Sequence, residues 1–351
     1  MMLQQPIQHT IRRYMSLKTH RITAMPVVIL MPHSACNCRC VMCDIWKGNR
    51  NLKQLTEKDI VELLVSLKKL QTRQVVMSGG EALLHPGFFR LCALLKQQGL
   101  DITLLSTGLG LARNAALVLE HIDALIVSLD GDQHTHDAIR NIPGAFDKLH
   151  EGVEAIKKLR PGYPVRARTV IHRLNFRVWP EIIEAAKELG LDQVSFLPAD
   201  VSSSAFNRQE RWSEERVEEV ALGEDELPEL RSVIDRLWSR HRQDFETRFI
   251  AESPAKINGI YLHYSALHGL NDFPVKKCNA PWVSAVVEPD GSVRPCFFHD
   301  AIGNIREASL HDIVNGPQGM EFRRGLDMET NPVCRQCVCS LNLRPWVNPA
   351  T

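Results

Sequence analysis

Short apolar, β-branched runs alternate with amphipathic stretches through residues 26–200, and this alternation predicts most of the elements. Residues 26–31 (Pro-Val-Val-Ile-Leu-Met) read as a buried strand. Thr56 with Asp59 three positions later reads as an N-cap and capping box. Ile60, Leu63, Leu64 and Leu67 then follow at helical spacing, giving a stripe that can cover a sheet. Further strands are predicted at 73–78, 102–106, 124–129, 165–171 and 193–197, with helices at 88–97, 146–159 and 180–189. Strand and helix alternate six times, which argues for parallel βαβ units and an α/β fold. The count suits a partial (β/α)6 TIM-like barrel.

The pattern changes after residue 200. Residues 201–250 begin with Ser202-Ser203-Ser204 and are rich in charge, with one helix predicted over 230–241 from Leu230, Val233, Ile234, Leu237 and Trp238 on a single face. Residues 251–277 give no clear element. Pro289-Asp290-Gly291 between two apolar runs, 285–287 and 292–294, predicts a hairpin. The expected organisation is an N-terminal arm (1–25), a barrel (26–200), a bridging helical segment (201–274) and a small cysteine-rich extension (275–351). Residues 1–25 are too few for an N-terminal peptide-binding module.

Composition narrows the function. The 351 residues are 44% hydrophobic with a net charge of +1, so neither a nucleic-acid surface nor attraction to a membrane is expected. No apolar run is long enough to span a bilayer. Ten cysteines without a secretory leader point to metal clusters in a reducing, cytoplasmic setting. Residues 1–21 lack Asp and Glu and carry Arg12, Arg13, Lys18 and Arg21, which suits a basic arm or short helix on the barrel better than a transit peptide.

Cys36, Cys40 and Cys43, spaced C-x3-C-x2-C, follow the first strand. Three thiolates on one short loop can hold three corners of a 4Fe–4S cube and leave the fourth iron open to bind and activate a molecule. A zinc knot would favour paired C-x2-C knuckles, and a disulfide cluster would need an oxidising compartment. Cys38 stands outside the triplet as a spare thiol, and Cys92, within a predicted helix, reads as a core residue.

With this loop after a strand, the chain resembles the radical S-adenosylmethionine (SAM) enzymes. The resemblance covers most of residues 26–340 and implies a partial barrel, a SAM-binding 4Fe–4S cluster, SAM itself and an electron donor such as flavodoxin or ferredoxin. Gly79-Gly80-Glu81 resembles the motif that meets the amino group of SAM, and His85-Pro86 continues it, with Ala82 where proline is common. Ser106 ends the third strand, and Ser128-Leu129-Asp130-Gly131 with His134 and Arg140 matches a further family segment. The resemblance implies that Ser106, Ser128 and Asp130 lie beside SAM, that Arg140 or Arg168 meets its carboxylate, and that Leu197 neighbours adenine. Met42 stands where an aromatic residue often packs near adenine. His134 reads as a local structural contact.

Cys278, Gly291 and Cys296, spaced C-x12-G-x4-C, precede Cys334-x2-Cys337. Four such thiolates can ligate a whole 4Fe–4S cluster, or a structural zinc. The pattern resembles the SPASM/twitch extension of radical SAM enzymes. Only Cys339 remains beyond it, which implies one auxiliary cluster in the shorter form.

Three functions compete: oxidation or rearrangement of a small-molecule substrate, modification of a peptide or protein, and a non-catalytic metal-stabilised scaffold. Sulfatase-maturating relatives carry an Asp base directly after the hairpin's second cysteine, where this chain has Phe297-Phe298-His299-Asp300. Asp200, Glu252, His299 and Asp300 are the candidate pocket acids and bases; the catalytic residue and the substrate are not identified.

Overall fold

The computed structural model describes residues 7–208 and 210–347. Six strands form the parallel part of the sheet: β1 (Val27–Leu30), β2 (Gln74–Met77), β3 (Asp101–Ser106), β4 (Ala124–Ser128), β5 (Val165–Ile171) and β6 (Gln193–Pro198). Each pairs in parallel with the next. This is the expected partial (β/α)6 barrel.

Three more strands extend the same sheet beyond β1. They are β7 (Ser284–Val287), β8 (Ser292–Arg294) and β9 (Gly303–Asn304), and the sheet order is β6-β5-β4-β3-β2-β1-β7-β8-β9. β7 lies parallel to β1, with Val27 opposite Ser284 and Leu30 opposite Val287. β7 and β8 form the predicted antiparallel hairpin, whose turn needs Gly291 at φ +87°. The cysteine-bearing hairpin is thus stitched onto the first barrel strand.

Strand alternation separates packing from chemistry. On β1 and β2 the side chains of Val28, Leu30, Val75 and Met77 are buried in the core. Their neighbours Val27, Ile29, Gln74 and Val76 point the other way and line an interior cavity. The core-facing side packs under helices that include Glu57–Lys69, Phe88–Lys96, Ala145–Leu159 and Trp179–Glu188. Thr56 and Asp59 form the expected capping box, and Cys92 is a buried core residue.

Helices Leu111–His121, Gln133–Arg140 and Pro254–Leu267 add to those the pattern predicted. The first described arm residues form helix Ile7–Thr19, which holds residues 343–347: Arg13 donates to the carbonyls of Leu343 (3.0 Å), Arg344 (2.6 Å) and Val347 (2.6 Å). No described helix is long and apolar enough to cross a membrane.

Candidate active site and cluster-binding cysteines

The cluster loop is held open by its backbone. Cys36 N–H donates to Asn49 Oδ1 and Asn49 Nδ2 returns a bond to the Cys36 carbonyl, both at 2.9 Å. Trp46 Nε1 donates to the Cys43 carbonyl at 2.8 Å. The N–H groups of Arg39 and Val41 reach the carbonyls of Arg140 and Ile139 at 3.0 and 3.1 Å, so the loop leans on the end of helix Gln133–Arg140.

The Gly79–Gly80 turn presses on this loop from the next strand. Glu81 N–H donates to the Ala35 carbonyl at 2.8 Å, and a Cβ at Gly80 would lie 2.2 Å from that same oxygen and 3.1 Å from Cys36 Cβ. Gly79 takes φ +114°. Only glycine permits this approach.

Cys36, Cys40 and Cys43 border one cavity of about 230 Å³. The Gly79–Gly80 turn, Ser106, Thr107, Ser128, Arg140, Arg168, Leu197 and Met42 border it too. Cys38 is buried between Cys36 and Cys40 and hydrogen-bonds with both thiols. The Cys38 bond, joined by the Arg140 charge, draws the Cys40 thiol down to about 6, whereas burial pushes Cys43 up to about 12.

Two expected contacts stand behind the cavity wall. The Glu81 carboxylate is buried and accepts bonds from Thr107 N–H (2.7 Å), Thr107 Oγ1 (2.6 Å), Ser106 Oγ (3.1 Å) and Leu83 N–H (3.2 Å). Burial raises its pKa, and the Thr107 bonds oppose that rise. Asp130 is fully buried and paired with Arg140, so it acts on the cavity through that guanidinium. His134 is exposed; the local structural contact is made instead by His136, whose Nδ1 accepts from Asp130 N–H at 3.2 Å.

Cys278, Cys296, Cys334 and Cys337 border a second cavity of about 360 Å³, with Cys339 beside them. Phe297, Phe298 and His299 add to its lining, and His299 Nε2 lies 3.4 Å from Cys334 Sγ. Burial pushes the thiols of Cys296 and Cys334 up to about 12 and about 11. All ten cysteines are free thiols. Among the described residues no three His, Cys, Asp or Glu side chains are arranged as a single metal ion requires.

The two cavities share a wall. Arg168 borders both. The chain from Cys337 to Cys339 runs between them, with Val338 on the first cavity and its neighbours on the second. Of the candidate acids and bases, His299 lines the second cavity and Asp200 the first, where Arg208 holds it at 2.8 Å. Glu252 accepts from Phe196 N–H at 3.0 Å, and burial raises its pKa. Asp300 is exposed and borders neither.

The site also contains residues the pattern did not point to. Arg208 is buried, stacks on Trp212 at 3.9 Å and lines the first cavity, and Trp212 Nε1 donates to Asp44 at 2.9 Å. The charge-rich run at 208–219 was the signal, although charge alone does not mark a buried arginine.

Residues 30–186 match the radical SAM superfamily, and residues 278–338 match SPASM, an iron-sulfur cluster-binding domain. The chain is a radical SAM protein with a C-terminal SPASM domain. It is 25% identical over 328 residues to the AdoMet-dependent heme synthase of Methanosarcina barkeri, covering 87% of this chain and 88% of that protein. It is 23% identical over 291 residues to the sporulation killing factor maturation protein SkfB of Bacillus subtilis, covering 80% of this chain and 62% of that one. Its fold matches Streptococcus suis SuiB bound to precursor peptide SuiA with a TM-score of 0.64 at 14% identity, covering 97% of this chain and 79% of that one.

The cofactors of this radical SAM protein are 4Fe–4S clusters and SAM. The residues present fit them. Three thiols border the first cavity without a fourth thiol among its described lining, and the missing Cβ at Gly80 leaves the cluster loop its place. Four thiols border the second. A cluster with an open iron supplies reductive cleavage of SAM to methionine and a 5′-deoxyadenosyl radical.

Proposed function

We propose that this protein is a radical SAM oxidoreductase that removes hydrogen from a small-molecule substrate held between its two cysteine sets, with net oxidation or rearrangement. Cys36, Cys40 and Cys43 hold the SAM-binding cluster. Cys278, Cys296, Cys334 and Cys337 would hold one auxiliary cluster, which would supply an electron acceptor beside the substrate. Gly79, Gly80, Ser106, Ser128 and Leu197 receive SAM, and Arg140 meets its carboxylate. Glu81 and Asp130 keep the turn and the guanidinium in position. A flavodoxin- or ferredoxin-like donor supplies the electron, and the free cysteines suit a reducing cytoplasm.

One observation carries this reading: Arg168 borders both cavities, so a substrate in the second faces SAM in the first across one side chain. Enclosure by the barrel shields a reactive species from water. Relative length adds support, because the match to the heme synthase spans nearly all of both chains. Peptide modification is the second reading, favoured by the likeness to SkfB and by the fold shared with peptide-bound SuiB.

The test is 5′-deoxyadenosine formation by the reduced holoprotein given fractions of a cell extract. Stimulation by a low-mass fraction that survives protease treatment supports a small molecule. Stimulation only by a protease-sensitive fraction supports the peptide reading instead.

A further inference from the structure

The second cavity has an unusual charge inventory. Its wall is mostly apolar, formed by Val27, Ile29, Val76, Val286, Phe297 and Leu326 among others. Two cations, Arg168 and Lys276, open onto it, and among the described residues no Asp or Glu borders it. Lys276 Nζ is buried and has no hydrogen-bond partner among the described residues. The Arg168 side chain makes no hydrogen bond or ion pair among the described residues. Arg168 is accessible, yet the surface it exposes faces the barrel interior.

Such an arrangement is costly without an anion. Lys276 Nζ, buried without a partner among the described residues, loses its hydration with nothing in return, and Arg168 presents an accessible, unpaired guanidinium to the same cavity. The buried arginines Arg208, Arg140 and Arg13 are matched, by Asp200, by Asp130 and by three carbonyls, whereas the accessible Arg168 is not. Glu252 lies near enough to Arg168 to feel its charge, but it is engaged by Phe196 N–H and stays off the cavity wall. The auxiliary thiolates account for part of the Lys276 charge, since Cys337 and Cys339 are its electrostatic neighbours. Arg168, on a barrel strand facing those cysteines, is an electrostatic neighbour of Cys339 too, but its guanidinium makes no hydrogen bond or ion pair among the described residues. A guanidinium fork is shaped for a carboxylate.

We propose that the second cavity takes an apolar substrate bearing a carboxylate, received by Arg168 with Lys276 in support. This rests on the small-molecule reading above and adds the chemical class of the ligand. The carboxylate end would sit at the shared wall, which places the adjoining carbon atoms of the substrate nearest SAM.

The test is equilibrium dialysis under anaerobic conditions, with the holoprotein and two probes of one shape: 1-naphthylacetate and its neutral isostere 1-naphthylacetamide. The expected result is at least about tenfold tighter binding of the acid, the scale of one charge-assisted contact. Arg168→Gln and Lys276→Gln should each shrink that preference, and Arg168→Lys should keep part of it. SAM binding is measured on the same samples, with iron content and circular dichroism confirming folded, loaded protein. Equal binding of the two probes, no binding of either, or a preference unchanged in both variants overturns the proposal. So does a loss of SAM binding alone in Arg168→Gln, which would assign that arginine to SAM. None of these readings requires turnover, so failure here is distinct from failure to form 5′-deoxyadenosine.

Discussion

Arg140 stands between the buried Asp130 carboxylate and the Cys40 sulfur, with its Nη1 3.5 Å from the sulfur and its Nη2 paired with the acid. The pair is a buried ion pair whose cation also faces a candidate cluster ligand. Breaking it from the acid side leaves the guanidinium uncompensated. Asp130→Asn should therefore destabilise the protein by about 3–5 kcal/mol, read as a lower midpoint in anaerobic denaturant titration. An unchanged midpoint would show that the pair is not holding Arg140.

The Gly80 contact gives a sharper, local prediction. Alanine there would place Cβ 2.2 Å from the Ala35 carbonyl oxygen, and the cluster loop must move to admit it. Gly80→Ala should fold but bind SAM at least about tenfold more weakly, about 1.4 kcal/mol. Gly162→Ala, where nothing lies within 4 Å, should bind SAM normally. Isothermal titration with SAM on iron-loaded samples compares the two.

Much of this architecture is legible in the residues. The Thr56–Asp59 capping box, the six parallel strands and the hairpin around Gly291 rest on local rules, and each forms as the pattern requires. Helix Pro254–Leu267 was not legible because its buried positions, Ile257, Ile260, His263, Tyr264, Ser265 and Ala266, include polar residues and do not repeat as one stripe. The parallel pairing of β7 with β1 joins segments far apart in the chain, and no local signal encodes it. The site divides in the same way. Its cysteines were legible from spacing. That Glu81 and Asp130 turn away from the cavity, while Arg168 turns into it, depends on partners supplied by other strands.

Cysteine substitutions separate ligands from bystanders. Cys38 is buried beside the triplet but does not border the first cavity. Cys38→Ala should keep its full iron, whereas Cys40→Ala and Cys334→Ala should each lose one cluster, about four irons of about eight per chain. Iron analysis with EPR of the reduced samples distinguishes which cluster is missing. Loss of iron in Cys38→Ala would make Cys38 a ligand.

Three buried histidines make stability depend on pH. Burial holds His136, His172 and His263 neutral, each pushed down from 6.5 to about 3. Below pH 6.5 the unfolded chain binds protons that the folded chain refuses, so stability rises with pH. Their contribution is complete above pH 6.5 and is lost progressively as pH falls toward 3. Each histidine contributes a slope of about 1.4 kcal/mol per pH unit in that window. Denaturant unfolding between pH 6 and 5 should thus steepen with acid, and His136→Asn should remove about one histidine's share of the slope. A slope unchanged by that substitution would place the proton uptake elsewhere.

The most direct measurement is anaerobic formation of 5′-deoxyadenosine from SAM by dithionite-reduced holoprotein, run beside Cys40→Ala. The account predicts product from the wild-type chain and none from the variant, with SAM altering the EPR signal of the wild-type cluster alone. Iron-loaded wild-type protein that neither forms 5′-deoxyadenosine nor changes its EPR signal with SAM would contradict it.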